Sequence, residues 1–268
     1  MGHRRGRRAV PRRARDGGDR VLIRHAIIEL AFVAAPANAE TWDWQLDDPI
    51  RPHTGVDMID TEPDSVTPEQ IAELKAAGVT PIAYVSVGTV ENYRDDADAF
   101  PAHLQGNTLG NWPNERYLDI RDQATLVPLM QARFARFRSM GFEGVEADNI
   151  DSYSNDPGFP LTARHAVAYA RALAGAAHAE GLTIGQKNAI ELAPDLVDVM
   201  DFMVTEECFE QGWCEETRIY LSQGKPVYAA EYTGQGVDWA AACEQARDLG
   251  IAMILHNNDL KGPAQARC

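Results

Sequence analysis

The sequence predicts a single (β/α)8 barrel, the α/β fold in which eight parallel strands alternate with helices. Three observations predict it. Eight short runs rich in β-branched and aromatic residues follow one another after residue 39. Segments with helical periodicity separate most of these runs. No internal repeat or low-complexity linker divides residues 40–268, and this length suits one barrel domain.

The eight predicted strands contain the residue types that favour extended structure. They span residues 42–46, 56–59, 82–87, 144–148, 183–186, 202–206, 227–231 and 252–256. The first two connections are irregular. We therefore expect the strand count to hold to within one.

Four helices are predicted from their caps and apolar spacing. Residues 68–77 follow Thr67, a good N-cap, and residues 123–140 repeat apolar side chains at steps of three and four before Gly141. Residues 163–180 and 238–249 also end directly before a glycine, the residue that helix C-termini favour. These helices would cover the outside of the barrel.

The N-terminal residues 1–39 differ in composition from the rest. They are rich in arginine, and the apolar run 26–35 precedes the Ala37-Asn38-Ala39 cleavage pattern. This order is typical of a secretory leader. We expect cleavage after Ala39, which would leave residues 40–268 as the mature domain in a secreted, cell-surface or periplasmic protein. An amphipathic helix that stays attached is the alternative.

Four cysteines, Cys208, Cys214, Cys243 and Cys268, follow the expected cleavage site. None has the CxxC spacing of a zinc site. The short separation of the first two favours a Cys208–Cys214 loop, which leaves a Cys243–Cys268 pair. Disulfides agree with export, whereas buried thiols would indicate a cytosolic protein.

The overall charge excludes several function classes. The chain has 25 Lys and Arg against 40 Asp and Glu, and nine of the arginines precede residue 40. Such an acidic body repels nucleic acid and anionic lipid. It either attracts a polycationic substrate or serves only to keep the protein soluble. After the leader we expect no membrane span. No nucleotide-binding glycine motif and no histidine metal spacing occurs in the sequence, so we expect no cofactor and no metal.

Carboxylates stand at the ends of several predicted strands. In residues 144–148, Glu146 and Asp148 share one face, with Asp148 nearer the mouth of the barrel. Glu206 and Glu231 end two later strands, and Lys187 ends another. Because barrel enzymes place their chemistry at the carboxyl ends of the strands, paired acids there suit glycosidic bond cleavage. Glu146 is equally well explained as a buried acid paired with Lys187.

These segments resemble the secreted endo-α-1,4-polygalactosaminidases of glycoside hydrolase family 114. The matching stretches are WDWQL at 42–46, AYVSVGTVE at 83–91 with Tyr93 and Arg94, LDIR at 118–121, GVEADNID at 144–151, KN at 187–188, EECF at 206–209 and VYAAEY at 227–232. The resemblance implies a (β/α)8 hydrolase acting on galactosamine-containing polysaccharide. It also implies that Asp148 and Glu206 form the catalytic pair.

We therefore expect a monomeric retaining enzyme with Asp148 as nucleophile and Glu206 as general acid/base. Glu231 is the reserve acid. The residues expected to bind substrate are Trp42, Tyr84, Glu91, Arg94, Trp112, Asp119, Asp151, Tyr153, Lys187, Asn188 and Tyr232. A polysaccharide-binding protein without turnover is the alternative from another class. A metal-dependent deacetylase would need a histidine ligand cluster, which the histidine spacing does not provide.

Overall fold

The fold consists of twelve strands and six helices within residues 40–268, the part of the chain that the computed structural model describes. The strands are β1 (Trp42–Gln45), β2 (Met58–Thr61), β3 (Thr80–Ser86), β4 (Thr89–Glu91), β5 (Gln105–Leu109), β6 (Trp112–Leu118), β7 (Gly144–Asp148), β8 (Thr183–Lys187), β9 (Phe202–Glu206), β10 (Val227–Tyr232), β11 (Ala252–His256) and β12 (Ala266–Arg267). The helices are α1 (Pro68–Ala76), α2 (Gln123–Met140), α3 (Ala163–Ala179), α4 (Ala193–Leu196), α5 (Arg218–Leu221) and α6 (Trp239–Leu249). The predicted leader, residues 1–39, lies outside the described residues.

One curled sheet contains all eight predicted strands in chain order. Its order is β1-β2-β3-β7-β8-β9-β10-β11-β12, and every neighbouring pair except β11 and β12 is parallel. The predicted barrel class is therefore confirmed. The irregular start of the chain has a simple cause, since no helix separates β1 from β2.

The seam between β11 and β1 is spanned by the C-terminal segment. Strand β12 pairs antiparallel with β11, and Arg267 Nε donates to the carbonyl of Trp42 in β1 at 3.0 Å. Leu46 N donates to the carbonyl of Leu260 at 3.0 Å further along the seam. The disulfide Cys243–Cys268 fastens β12 to α6. The C-terminal segment thus connects the two edge strands β11 and β1.

The four predicted helices all form, with ends set by their caps. Thr67 and Gln70 make a reciprocal capping box at the start of α1. Asp122, Thr162 and Asp238 accept backbone N–H groups at the starts of α2, α3 and α6. The first residue after α2 is Gly141, whose φ of 106° is a conformation that glycine adopts without strain.

Two apolar layers surround the sheet. The inner layer fills the barrel with side chains from alternate strand positions, Trp42, Trp44, Met58, Ile82, Phe202, Val204, Tyr228, Ala230, Tyr232, Ala252, Ile254 and Leu260. The outer layer packs the opposite strand face against the helices. Successive residues of a strand point alternately into these two layers. Whether a side chain faces the barrel interior therefore depends on whether it occupies an odd or an even position of its strand.

A small antiparallel sheet, β4-β6-β5, lies in the connection between β3 and α2. It follows β3 at the carboxyl edge of the barrel and so adds a wall beside the mouth. Trp112, at the start of β6, is 63% exposed, which leaves its indole ring available at this wall. Within residues 40–268, no helix is both long and apolar enough to cross a lipid bilayer.

Candidate active site

Three neighbouring strands end in the central charged side chains of the site. Asp148 ends β7, Lys187 ends β8 and Glu206 ends β9. Because the strands are parallel, their carboxyl ends lie at the same edge of the sheet. All three side chains occupy inward-facing positions of their strands, so they point into the barrel mouth. The carboxylates of Asp148 and Glu206 retain 21% and 31% exposure, so a ligand can reach both.

Lys187 lies between the two carboxylates. Its Nζ is 2.8 Å from Glu206 Oε2 and 3.5 Å from Asp148 Oδ1. The two oxygens are therefore separated by no more than the sum of these distances. Burial opposes the charge of Lys187, but the surrounding carboxylates hold its pKa well above the usual value. Lys187 is thus a fixed positive charge at the centre of the site.

Hydroxyl and amide groups orient each carboxylate. Tyr84 Oη donates to Asp148 Oδ2 at 2.8 Å, and Tyr232 Oη donates to Glu206 Oε1. Asn188 Nδ2 donates to Glu206 Oε2 at 3.1 Å. Burial alone would raise the pKa of Glu206, but Lys187 and these donors together hold it below its usual value. Glu206 is therefore ionised at neutral pH in the free protein.

The turns after these strands are strained. Asn149, Asn188 and Glu207 each directly follow a strand end, and their φ values are 59°, 47° and 55°. Asparagine tolerates the left-handed region, whereas glutamate adopts it at a cost. The sharp turn at Glu207 leads the chain away from the mouth immediately after Glu206. Strained backbone in this position is common at functional sites.

A second charged layer lies beneath Lys187. Glu146 Oε1 is 3.5 Å from Lys187 Nζ, and Glu146 Oε2 accepts the indole N–H of Trp44 at 3.0 Å. The Trp44 ring lies under the same ammonium group, with its centroid 4.7 Å from Nζ. The expected pairing of Glu146 with Lys187 is present. This layer holds the lysine in place from below.

Asp60 completes this floor beside Glu146. Neither side chain is exposed, and among the described residues neither oxygen of Asp60 has a hydrogen-bond donor. Two buried carboxylates in contact repel each other unless one holds a proton. Burial and the charge of Glu146 raise the pKa of Asp60 well above its usual value. Asp60 is therefore the protonated member.

We expect Asp60→Asn to stabilise the protein increasingly as pH rises. The folded state keeps a proton on Asp60 that the unfolded chain loses above pH ~4, so the wild type loses stability as pH rises towards the raised pKa. Asparagine removes this penalty because it does not ionise, and it does so at nearly the same volume. Thermal unfolding from pH 5 to 8 should show a growing Tm advantage for the variant.

Asp57→Asn is the matched control, because Thr41 hydrogen bonds lower the pKa of Asp57. A group with a lowered pKa stabilises the fold above its unfolded pKa. This variant should therefore have a lower Tm at neutral pH and approach the wild type as pH falls. A Tm difference for Asp60→Asn that does not change with pH would contradict the protonation of Asp60 in the folded protein.

The cleft above this centre has a volume of about 640 Å³. Its described lining is strongly acidic, with eight Asp and Glu side chains against Lys187 alone. Of the expected substrate-binding residues, the cleft brings together Tyr84, Glu91, Trp112, Asp151, Lys187, Asn188 and Tyr232. Both carboxylate oxygens of Glu91 already accept hydrogen bonds from Arg94. Glu91 is therefore less available to bind substrate directly.

The structure corrects four of the expected substrate contacts. Trp42 is 1% exposed and lies in the barrel interior against Tyr228. Arg94, Asp119 and Tyr153 do not line the cleft. Arg94 is buried in ion pairs with Glu62, Asp64 and Glu91, Asp119 accepts two hydrogen bonds from Arg121, and Tyr153 donates to Glu191. These side chains support the walls of the barrel mouth.

The reserve acid, Glu231, also lies elsewhere. Its neighbours Ala230 and Tyr232 alternate with it, and both face the barrel, so Glu231 faces outward. Its carboxylate accepts the backbone N–H groups of Phe209 at 2.9 Å and Glu210 at 3.3 Å. Burial raises the pKa of Glu231 to about 7 despite these bonds. It therefore cannot serve as an acid inside the cleft.

Sequence reasoning missed three residues of the site. Trp44 was not among the expected site residues, although its ring lies 4.7 Å from Lys187 Nζ. Asp60 could have been found from the alternation of side chains along β2. Residues two apart, such as Met58 and Asp60, lie on the same face of a strand. Glu115 lines the cleft from β6, and burial raises its pKa to about 7 while Thr89 donates to it at 2.9 Å. No sequence signal indicated where β6 would lie.

Both expected cysteine pairs are present as disulfides, with Cα separations of 4.8 Å for Cys208–Cys214 and 5.4 Å for Cys243–Cys268. Cys208, Cys214 and Glu231 lie close enough together to suggest a metal site. The two sulfurs are bonded to each other, so neither is available as a thiolate ligand.

Comparison with protein families identifies the chain. The model of glycoside-hydrolase family GH114 matches residues 28–268. The chain belongs to family GH114. It is a glycoside hydrolase, and the carboxylates at the barrel mouth are the groups that such chemistry requires.

Solved structures extend this result for the GH114 protein. Ega3 from Aspergillus fumigatus, in complex with galactosamine, is 30% identical with a TM-score of 0.77, over 87% of this chain and 96% of that chain. The glycoside hydrolase domain of PelA from Pseudomonas aeruginosa is 20% identical with a TM-score of 0.62, over 82% and 95%. The latter supports the fold alone.

A curated relative in Deinococcus radiodurans, described only as an uncharacterized protein, is 30% identical over 220 residues. The match spans 72% of this chain and 70% of that protein.

Proposed function

We propose that this protein is an exported, endo-acting hydrolase of α-1,4-linked galactosamine polysaccharide, with Asp148 and Glu206 as its catalytic pair. The observation that carries the proposal is the position of these two carboxylates on either side of Lys187 Nζ, at the floor of an open acidic cleft. The similarity to Ega3, whose structure contains galactosamine, supports the choice of sugar.

The spacing of the pair favours a retaining mechanism. Retaining enzymes hold their carboxyl groups about 5–5.5 Å apart, whereas inverting enzymes need roughly 6.5–9.5 Å to admit a water molecule. Asp148 Oδ1 and Glu206 Oε2 both contact Lys187 Nζ, at 3.5 and 2.8 Å, and this shared contact supports a closely spaced pair. Asp148 then attacks the anomeric carbon, and Glu206 protonates the leaving oxygen and later activates water.

The acidic cleft suits a cationic polymer. Deacetylated galactosamine carries an ammonium group on each sugar, and the eight lining carboxylates attract it. The two disulfides are consistent with an oxidising, extracellular location. We also propose that the protein acts as a monomer.

Release of reducing ends from purified α-1,4-galactosamine polymer tests the proposed activity. We expect cleavage into oligosaccharides, with a kcat/KM that falls as salt is raised because screening weakens the long-range attraction. An N-acetylated polymer should lose this salt dependence. A β-1,4-glucosamine polymer of equal charge is the control for linkage. Binding of the first polymer without release of any reducing ends would indicate a binding protein instead.

Lys187→Met should move the pH profile of cleavage. The acid/base must be protonated for the first step. Because the pKa of Glu206 is lowered, the alkaline limb of the pH profile, where kcat/KM falls as pH rises, should lie at acidic pH. Removing the ammonium group raises that pKa, so the limb should shift to higher pH even as the rate falls. Lys225→Met, distant from the cleft, is the control. An unmoved limb would show that Glu206 does not set it.

A further inference from the structure

A second cavity adjoins the cleft across Glu206. It has a volume of about 320 Å³ and is lined by Asn188, Glu206, Glu207, Gln211, Trp213 and Tyr232. Three of these residues, Asn188, Glu206 and Tyr232, also line the main cleft. The two cavities therefore meet at Glu206. Asp148 lines the main cleft and is absent from the second cavity.

The outer wall of this cavity is a fixed loop, residues 207–213. The Cys208–Cys214 disulfide closes the loop, and Trp213 N donates to the carbonyl of Cys208 at 2.9 Å. Buried Glu231 holds the loop from below through two backbone N–H groups. This explains the position of the reserve acid: it orients the loop. Rigid walls of this kind preorganise a binding site.

The loop presents two groups suited to an amino sugar. Trp213 is half-buried, and its indole supplies a flat apolar surface on which a sugar face can stack. The Glu207 carboxylate is oriented by side-chain amides, with Gln211 Nε2 at 2.9 Å and Gln235 Nε2 at 3.0 Å. None of the six described lining residues is cationic, so no charged side chain of this lining competes with an ammonium group for Glu207.

We infer that this second cavity is a leaving-group subsite for one galactosamine unit, with Trp213 as its stacking surface and Glu207 as its ammonium acceptor. The inference rests on the proposed function. The residue shared by the two cavities is the proposed acid/base, whose proton goes to the oxygen between the cleaved sugar and its leaving group. The cleaved sugar then lies above Asp148 in the main cleft, and the next sugar lies beyond Glu206. A chain that continues through both cavities is cut internally.

The test compares substrates that differ only in the leaving group. Trp213→Ala and Glu207→Gln should lower kcat/KM for α-1,4-galactosamine oligosaccharides, by roughly tenfold for the lost stacking and about fivefold for the lost ion pair. The decrease in kcat/KM should result from a higher KM, with kcat nearly unchanged. Hydrolysis of an aryl α-galactosaminide should stay within twofold, because its leaving group is not a sugar. Glu210→Gln, on the same loop but outside the cavity, is the control for both substrates.

Equal losses on the two substrates would overturn the inference, because the loop would then act only by supporting the catalytic centre. No loss on either would also overturn it. Quenching of tryptophan fluorescence by the oligosaccharide needs no turnover, and it should be weaker in Trp213→Ala. Quenching that depends on Trp213 in a wild-type protein that cleaves nothing would support the subsite and reject the proposed activity.

Discussion

Asp148→Asn is expected to lower kcat by at least ~10³-fold while leaving the fold intact. The substitution removes the anionic nucleophile at nearly constant volume. Tyr84 can still donate to the amide oxygen, and Lys187 keeps its contacts with Glu206 and Glu146. Turnover of galactosamine oligosaccharides, measured with Tm as the folding check, tests this expectation.

Asp151→Asn is the matched control for that variant. Asp151 follows the same strand and lines the same cleft, but it has no contact with Lys187 among those described. Its loss should change KM more than kcat. If Asp148→Asn keeps kcat within tenfold of the wild type, Asp148 does not belong to the catalytic pair.

Glu206→Gln should produce the second large effect, and its size should depend on the leaving group. Loss of a general acid lowers turnover of unactivated oligosaccharides by ~10²–10⁴-fold. An aryl galactosaminide with a good leaving group needs no proton, so its first step should be largely preserved. Hydrolysis of the glycosyl-enzyme, the second step, still lacks its general base. A glycosyl-enzyme should therefore accumulate on Asp148 and be detected by mass spectrometry of the intact protein.

Azide separates the two roles, because this anion attacks the intermediate without a general base. It should accelerate Glu206→Gln on the aryl substrate and leave Asp148→Asn unchanged. Glu210→Gln is the control, since that side chain lines neither cavity and should show no leaving-group dependence. An inverted β-glycosyl azide from Glu206→Gln would mean that the two residues exchange roles, because azide that attacks a glycosyl-enzyme on Asp148 gives the α-azide.

The strands and the mouth carboxylates were predictable because both follow from local patterns. Alternation within residues 144–148 and 202–206 fixes which side chains share a face, and parallel strands share a carboxyl edge. The same alternation in Val227–Tyr232 placed Glu231 on the outer face, since Tyr228 and Tyr232 have the opposite parity. That signal was present in the sequence, and the reserve-acid prediction overlooked it.

Contacts between distant segments could not be read from local patterns. Trp44, Asp60 and Glu146 meet only because β1, β2 and β7 curl around one interior, so a buried charge on one strand gives no sign of its partner. The route of the chain between β3 and α2 was equally hidden. Arg94 and Asp119 lie on this route, and their partners, not their sequence positions, keep them out of the cleft.

The central claim is that Asp148 and Glu206 cleave an α-galactosamine linkage with retention. Proton NMR of wild-type protein acting on α-1,4-galactosamine oligosaccharides tests it most directly, because the anomer formed first can be seen before mutarotation. We predict that the α-anomer of the new reducing end forms first, and that neither Asp148→Asn nor Glu206→Gln gives this product at a comparable rate. Initial formation of the β-anomer would contradict the account, since it requires inversion by a water molecule between the two carboxylates.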